Sequence, residues 1–264
     1  MVSDDSELVL KPFTCFDINA NNRLICAGSE EMNHNVYMLF FDIRERKFSG
    51  GFFESHTEEV TDVKFHPTNP DLLATGSTDG LINIFDTKQE SEDDALKYCL
   101  NTESSVSKIK WHHNDQLSCI TNTNDLQLFD VNEQDLLKRW DRASIANAMK
   151  RKSVIDCNLV DCYNYGADQM MYLATSNYNK GECIRSLSFN DKSMEPIANF
   201  QGNKQIIRAS LYKAQDDIFF TFGESGIVSV WKEGDSPSSE MAKISLKEDS
   251  SLKKKLKKNK GNPY

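Results

Sequence analysis

Residues 75–86, TGSTDGLINIFD, contain a tight turn followed by an alternating apolar run that ends in Phe85-Asp86. The same dipeptide ends comparable runs upstream, at Phe41-Asp42, and downstream, at Phe129-Asp130. Successive phenylalanines of the three dipeptides are 44 residues apart in both intervals. A fixed period of about 20–50 residues is typical of a solenoid, a propeller or an array of small domains.

The repeat continues towards the C-terminus with less regular dipeptides. Phe189-Asn190 and Trp231-Lys232 take the same place in their runs, after intervals of 60 and 42 residues. The longer interval contains the polar stretch LLKRWDRASIANAMKRKS. We interpret residues 143–152 as an insertion that contains a short helix.

Each repeat is predicted to contain four short strands. In the second repeat these are VTDVKFHP, DLLATGS, LINIFD and ALKYCLNT, and Gly80 supplies the positive φ that the tight turn requires. A four-stranded antiparallel sheet has two faces to bury, and packing such sheets around an axis buries both. The predicted fold is therefore an all-β propeller of about five four-stranded antiparallel blades. We expect a propeller domain of residues 1–235, with blades near residues 12–55, 56–103, 104–142, 153–201 and 202–232.

The stretch SHTEEVTDVKFHPTNPDLLATGSTDGLINIFD, residues 55–86, resembles one repeat of the WD-repeat family. Ser55-His56 stands where the family has Gly-His, and Phe85-Asp86 stands where it has Trp-Asp. The resemblance covers about residues 13–232. It implies a scaffold for protein–protein interactions and a buried hydrogen-bond network in this blade. The residues that match that network are His56, Ser77, Asp79 and Phe85.

The sequence departs from the family pattern at Phe85, which has no indole N–H to donate to Ser77. The number of repeats also leaves two alternatives open. ELVLK, residues 7–11, could pair with the last three strands and close a five-bladed ring. Alternatively, the chain is a partial ring, a shortened form of a longer protein that lacks N-terminal blades.

Charge is unevenly distributed along the chain. The formal net charge is −9, and removing the six lysines of SLKKKLKKNKGNPY leaves −15 on residues 1–250. An acidic body disfavours nucleic acid as a partner, except through this tail. We expect residues 236–264 to be a flexible, Lys-rich tail of the kind read by nuclear import. Its basic residues are Lys253, Lys254, Lys255, Lys257, Lys258 and Lys260.

Motifs that indicate an enzyme or a metal site are missing from the sequence. The seven cysteines never form Cys-x-x-Cys, and no Gly-rich phosphate loop is present. His112-His113 is interpreted as a strand end rather than half a metal site. We therefore expect no catalytic residue, no cofactor, no metal and no small-molecule substrate.

Phe41-Asp42-Ile43-Arg44 supports an alternative function. Some WD-repeat proteins dock through Trp-Asp-x-Arg onto the damaged-DNA-binding adaptor of cullin ubiquitin ligases. The resemblance implies a substrate receptor that uses Asp42 and Arg44, whereas the simpler interpretation leaves Arg44 solvated at a blade edge.

The partners themselves are not identified by the sequence. Acidic loops such as SEEMNHN and KQESEDDA favour basic protein partners. No apolar run reaches the ~20 residues that cross a bilayer, and the N-terminus lacks the features of a signal peptide. We expect a nuclear or cytoplasmic protein that is neither secreted nor bound to a membrane.

Overall fold

The computed structural model describes residues 12–165, 169–176, 183–189, 194–232 and 243–244. These residues form five antiparallel sheets that follow one another along the chain. The sheets are the five blades of a β-propeller, so the predicted fold class is confirmed.

The first three blades each contain four strands in sequence order. The strands of the first blade are β1 (Phe13–Ile18), β2 (Leu24–Ser29), β3 (Met38–Asp42) and β4 (Lys47–Phe52). Those of the second are β5 (Val60–Phe65), β6 (Leu72–Ser77), β7 (Leu81–Asp86) and β8 (Leu96–Asn101). Those of the third are β9 (Val106–Trp111), β10 (Gln116–Thr121), β11 (Leu126–Asp130) and β12 (Asp135–Trp140).

The last two blades depart from this pattern in their outer strands. The fourth contains β13 (Cys157–Tyr165), β14 (Gln169–Ser176), β15 (Cys183–Phe189) and β16 (Met194–Phe200). The fifth contains β17 (Ile207–Lys213), β18 (Ile218–Gly223) and β19 (Val228–Lys232), three strands among the described residues. A short final strand, β20 (Lys243–Ile244), pairs in parallel with the outer edge of β16.

A β-bulge recurs between the third and fourth strands of the first three blades. The register shifts between Phe40 and Phe41, between Ile84 and Phe85, and between Leu128 and Phe129. A bulge bends a strand and increases its local twist. Each shift directly precedes the Phe-Asp dipeptide, so the 44-residue period of the sequence coincides with a repeated distortion of the outer strand.

The hydrophobic core is divided among the four junctions between consecutive blades. One cluster joins the first and second blades through Phe40, Phe52, Val63 and Phe85, and a second continues into the third blade. The third and fourth clusters join the later blades in the same way. Each interior blade therefore buries both of its faces, as the propeller argument requires.

Glycine permits close approach of neighbouring blades at one repeated position. A Cβ at Gly28 would lie 2.6 Å from Cγ1 of Val60, and a Cβ at Gly76 would lie 2.5 Å from Cγ1 of Val106. Both glycines are in the second strand of a blade, and both valines begin the next blade. A side chain at either glycine would push the neighbouring blade away.

Among the described residues, two short α-helices and one 3-10 turn interrupt the strands. Helix α1 (Glu92–Ala95) begins with Ser91 as its N-cap, and helix α2 (Arg142–Ala148) begins with Asp141, whose carboxylate accepts the Ser144 N–H at 2.8 Å. The 3-10 turn comprises His113–Asp115. Helix α2 lies in the stretch that we interpret as an insertion, and its Ile145 is fully buried in the cluster between the third and fourth blades.

Candidate interaction site

The second blade contains a buried network around His56. Nδ1 of His56 lies 2.9 Å from Oδ2 of Asp79, and Nε2 lies 2.8 Å from Oγ1 of Thr75. The Asp79 carboxylate also accepts the backbone N–H groups of Thr57 and Leu81. An ionised carboxylate only accepts, so Nδ1–H donates to Asp79 and, in the neutral ring, Nε2 accepts from Thr75.

Burial of the Asp79 carboxyl raises its pKa, but other effects outweigh burial. The hydrogen bond and charge of His56, together with the two backbone N–H groups, hold the Asp79 pKa below its ordinary value. The network therefore keeps a carboxylate ionised while 6% of its side chain is exposed. Such a group is stabilised only where donors surround it.

The sequence-based assignment of the hydroxyl group in this network needs correction. Thr75, and not Ser77, contacts the His56 ring. The Ser77 hydroxyl donates to the Glu58 carbonyl at 2.9 Å and accepts the Asp79 N–H at 3.2 Å. Thr75 and Ser77 are two residues apart on β6 and share a face, so alternation alone does not distinguish them.

Phe85 contributes apolar packing rather than a hydrogen bond. Its ring lies 5.0 Å from that of Phe52, and the residue is fully buried. The fifth blade has the corresponding polar pair, because Nε1 of Trp231 donates to Oγ1 of Thr221 at 2.8 Å. Trp231 and Thr221 occupy the register positions of Phe85 and Thr75. That correspondence is the signal that could have identified Thr75.

Asp42 closes the turn between the third and fourth strands of its blade. One carboxylate oxygen accepts the Arg44 N–H at 2.8 Å and the Glu45 N–H at 2.9 Å, and the other accepts Nε of Arg23 at 3.1 Å. The Glu45 N–H and the Arg23 side chain lower the Asp42 pKa. Asp130 accepts two backbone N–H groups in the same way. The recurring aspartate is thus explained by turn geometry.

The two residues of the possible docking motif, Asp42 and Arg44, differ in their exposure to solvent. Asp42 is buried, with 7% of its surface exposed, while Arg44 is exposed beside it. The carboxylate of Asp42 is engaged by its own turn, so Arg44 is the accessible part of the four-residue motif.

Charged side chains along the inner strands tie one blade to the next. Asp17 of β1 accepts the Phe65 N–H at 2.8 Å, and Asp62 of β5 accepts the Ile109 N–H at 3.0 Å. From β9, Lys108 donates to the Val160 carbonyl at 2.8 Å. Three successive junctions therefore have a link between inner strands that uses a charged side chain.

A cavity of about 330 Å3 lies among these inner strands. Its charged lining residues are paired: Lys64 contacts Asp62 at 2.6 Å, and Lys108 contacts Asp161 at 3.3 Å. Burial raises the pKa of Asp62 although Lys64 and the Ile109 N–H oppose the shift. Opposite charges in this cavity offset one another, so it has no uncompensated charge with which to hold an ionic ligand.

A second cavity, of about 230 Å3, lies among the third, fourth and fifth blades. Its lining includes Asn124, Asn158, Thr175 and Arg208. Arg208 contacts Glu224 through its Nε at 2.8 Å. The cavity is polar, but its arginine already has a carboxylate partner.

A second buried histidine network was missed at the sequence level. Nε2 of His112 lies 2.7 Å from Oγ of Ser118, and Nδ1 lies 2.6 Å from Oδ1 of Asn164 in the next blade. The Ser118 hydroxyl in turn lies 3.1 Å from Sγ of Cys162. These contacts join the third and fourth blades, and no local pattern around His112-His113 indicates them, because Asn164 and Cys162 are far along the chain.

The groups of this second network are inaccessible. His112 is 3% exposed, Ser118 is fully buried and Cys162 is 2% exposed. Burial lowers the His112 pKa to about 4, despite the hydrogen bond to Asn164, and raises the Cys162 pKa to about 12. A neutral imidazole and a protonated thiol without solvent access are unsuited to nucleophilic catalysis.

A model of the family described as WD domain, G-beta repeat (WD40) matches residues 48–86. This match covers β5–β7 of the blade that contains the His56 network, together with most of β4 of the preceding blade. The chain folds as a β-propeller, and part of it matches the WD repeat.

Three WD repeat-containing proteins are similar in sequence to this chain. A WD repeat-containing protein of Schizosaccharomyces pombe is 22% identical over 231 residues, which are 84% of this chain and 70% of the relative. A Saccharomyces cerevisiae WD repeat-containing protein is 26% identical over 236 residues, 86% of this chain and 57% of the relative. The WD repeat-containing protein 89 homolog of Dictyostelium discoideum is 26% identical over 167 residues, covering 62% of this chain and 45% of its own length.

Solved structures show the same fold at low sequence identity. The propeller superposes on the Cps50 (Swd1) β-propeller domain of Myceliophteria thermophila with a TM-score of 0.65 and 11% identity, covering 88% of this chain and 68% of that one. It superposes on a chain of a mitotic checkpoint complex with a TM-score of 0.63 and 13% identity, covering 84% and 64%.

Other expected site features fall into two groups. The lysines of the basic tail, 253–260, lie outside the described residues. Among the residues that are described, no group of three or more His, Cys, Asp or Glu side chains is placed to hold a metal ion. In the same residues, no helix of the propeller has the length and apolarity needed to cross a membrane.

Proposed function

We propose that this WD-repeat propeller is a non-catalytic scaffold that binds other proteins through its loops. The observation that carries the proposal is that the buried His, Asp and Cys side chains are engaged in hydrogen bonds within the propeller. His56, His112, Asp62 and Cys162 are each bonded within or between blades. Reactive side chains therefore stabilise the propeller, and the exposed loops are the surface on which recognition can occur.

Two exposed loops support a basic partner. Glu30 and Glu31 are exposed after β2, and Glu90 and Asp93 are exposed between β7 and β8. Glu92 between them is held, because its carboxylate accepts the N–H groups of Phe53, Glu54 and Ser55. A surface of one charge sign speeds association with a partner of the opposite sign. The structural similarity to a chain of a mitotic checkpoint complex, which is a multiprotein assembly, also favours a scaffold.

The test is affinity purification with mass spectrometry from cells that express the tagged chain. The variant E90Q/D93N removes two charges from one acidic loop. The matched control E133Q/D135N removes two charges from exposed positions, one in the turn before β12 and one at the first residue of β12. We expect a reproducible partner that E90Q/D93N loses and the control retains. A partner list that is the same for all three chains would contradict loop-mediated recognition.

A further inference from the structure

The stretch KRKSVID, residues 150–156, connects helix α2 to β13 and begins with three consecutive basic residues in a chain of net charge −9. Its two lysines are exposed, and Ser153 after them is half-buried. The next two residues, Val154 and Ile155, are 40% and 75% exposed. Neither the His56 network nor the acidic loops include these residues. We call residues 150–156 the basic loop.

The basic loop begins where helix α2 ends. Lys150 has a φ of 54°, and its N–H donates to the Asn147 carbonyl at 2.9 Å. The Arg151 N–H donates to the Ala146 carbonyl, also at 2.9 Å. These two bonds form the Schellman motif, which closes the C-terminus of a helix. The chain after Arg151 therefore leaves the helix and enters the loop.

The other end of the basic loop is fastened by Arg142 of helix α2. The Arg142 guanidinium donates to the Ile155 carbonyl at 2.6 Å and to the Cys157 carbonyl at 2.7 Å. Within the loop, the Ser153 carbonyl accepts the Cys157 thiol at 3.4 Å. Ser153 thus lies in a short loop that is fixed at both ends.

Arg151 has an unsatisfied donor beside this serine. Its Nε is buried and has no hydrogen-bond partner among the described residues. A buried donor without an acceptor is unfavourable, and the positive charges of the two flanking lysines repel the guanidinium. An anionic group on Ser153, two residues along the chain, would offset both effects.

We propose that Ser153 is a phosphorylation site for a serine kinase that selects basic residues before the serine. Such a kinase binds basic side chains two and three residues before the serine with carboxylates, and it buries an apolar side chain directly after the serine. Lys150, Arg151 and Val154 occupy these positions. The Ser153 oxygen forms a bond to the γ-phosphorus of ATP as the bond from that phosphorus to the β,γ-bridging oxygen breaks. ADP leaves, and the hydroxyl proton passes to the catalytic aspartate of the kinase.

Phosphorylation would change the charge and the order of the basic loop. A phosphoserine carries a charge of about −1.5 to −2 at neutral pH, which offsets most of the three positive charges that precede it. Phosphate oxygens also accept charge-assisted hydrogen bonds from a guanidinium, and Nε of Arg151 has no other acceptor in the part of the chain that is described. We expect the phosphorylated loop to be more ordered than the unmodified loop.

Ser49 has a similar sequence context and supplies the control. Arg46 and Lys47 precede it by three and two residues, and its side chain is exposed. Ser49 lies in β4, however, and the residues on either side of it pair with β3. A kinase binds its substrate as a segment detached from the rest of the fold, so β4 would first have to separate from β3. We therefore expect modification of Ser153 and not of Ser49.

The experiment incubates the full chain with Mg-ATP and the catalytic subunit of the cyclic-AMP-dependent protein kinase, which selects basic residues before a serine. Intact mass measures the number of phosphates, and peptide fragmentation locates them. We expect one phosphate, at Ser153, and none on Ser153→Ala. Arg151→Gln should lower kcat/KM by at least about tenfold, because a charge-assisted hydrogen bond to the kinase is lost. The matched control Arg46→Gln should leave kcat/KM unchanged.

Hydrogen exchange measures the effect of the phosphate on the loop. Amides of residues 150–156 should exchange at least about threefold more slowly in the phosphorylated chain, while those of β5–β8 stay unchanged. Arg151→Gln, phosphorylated by prolonged incubation, should not show this slowing. Circular dichroism melting verifies that each variant is folded.

A synthetic peptide of residues 147–156 is the control for accessibility. Phosphate on the peptide but not on the folded chain would overturn the proposal, because the loop would then be closed to the kinase. No phosphate on either, or phosphate on Ser49 in place of Ser153, would overturn it as well. The proposal does not depend on partner binding by the acidic loops, and none of these results bears on the affinity purification that tests it.

Discussion

The second and fifth blades have similar strand patterns but very different environments. In β7 of the second blade, Ile82 and Ile84 are buried on one side and Phe85 on the other. In β19 of the fifth blade, Trp231 is buried while Val230 is half exposed. An alternating strand is thus buried on both faces only where a blade packs on each side of its own blade. The second blade has a neighbouring blade on both sides.

The largest expected effect on the free energy of unfolding concerns the second blade, which is packed on both faces. Phe85→Ala removes a fully buried ring that packs on Phe52 and should lower the free energy of unfolding by about 3–5 kcal/mol. Val230→Ala in the fifth blade is the control and should change it by less than about 0.5 kcal/mol. Chemical denaturation measures both. Equal losses would contradict the difference between the two blades.

The second prediction concerns the pH dependence that the buried His112 gives to the stability of the propeller. The His112 pKa is about 4 when folded and 6.5 ordinarily, so the unfolded chain binds more protons between these values. Stability should therefore fall as the pH drops from about 6.5 to about 4, by up to about 3 kcal/mol, and this contribution should be complete above about 6.5. Lys110 and His113 act in the same direction, since their charges also disfavour a protonated His112.

His112→Gln removes this titration. Its unfolding free energy should depend less on pH between 4 and 6.5 than that of the parent chain, whatever its absolute stability. Denaturant titrations at several pH values measure the slope. An unchanged slope would show that His112 does not titrate as its burial implies.

The third prediction tests which side chains stabilise the His56 network. Asp79→Ala leaves the buried His56 N–H and two backbone N–H groups without their acceptor and should cost on the order of 1–3 kcal/mol. Thr75→Val should weaken the network through His56, whereas Ser77→Ala should not affect the His56 ring. An unchanged thermal midpoint for Asp79→Ala would contradict a structural role for the network.

The fourth prediction places in the fifth blade, at position 231, the phenylalanine that the second blade has at the equivalent position 85. Trp231→Phe removes the indole N–H that bonds Thr221 and should cost about 0.5–1.5 kcal/mol in addition to the effect of the smaller ring. Removing Thr221's side of the bond as well, in W231F/T221V, separates the two effects. The hydrogen bond predicts that the double variant loses less free energy of unfolding than W231F and T221V lose together. A loss equal to that sum or larger would show that the hydrogen bond is not the source.

The smallest expected effect concerns Arg44. Its side chain is exposed, so Arg44→Ala should change the free energy of unfolding by less than about 0.5 kcal/mol. Docking to the cullin adaptor stays a prediction, and a pulldown with the purified adaptor tests it. Binding by the parent chain that Arg44→Ala abolishes would support the receptor alternative, and absence of binding by the parent chain would exclude this docking mode.

Local sequence patterns were sufficient for the repeated parts of the fold. The Phe-Asp period locates the third strand of the first three blades, because each aspartate caps the turn that ends that strand. The pairing of His56 with Asp79 was implied by the resemblance to a WD repeat, and the two side chains are in contact within one blade. The choice of Thr75 over Ser77 did not follow, because both hydroxyls have the same strand phase.

By itself, the sequence determined the all-β class, the repeat length, the turns and the approximate strands, because these depend on alternation and turn chemistry within a few residues. Only the tertiary structure decided which groups meet across a junction, such as His112 with Asn164, and which apolar faces stay exposed, such as those with Phe16 and Val230. The physical reason is that the burial of an alternating strand depends on the sheets that pack on either side of it, and its own residues do not specify those sheets.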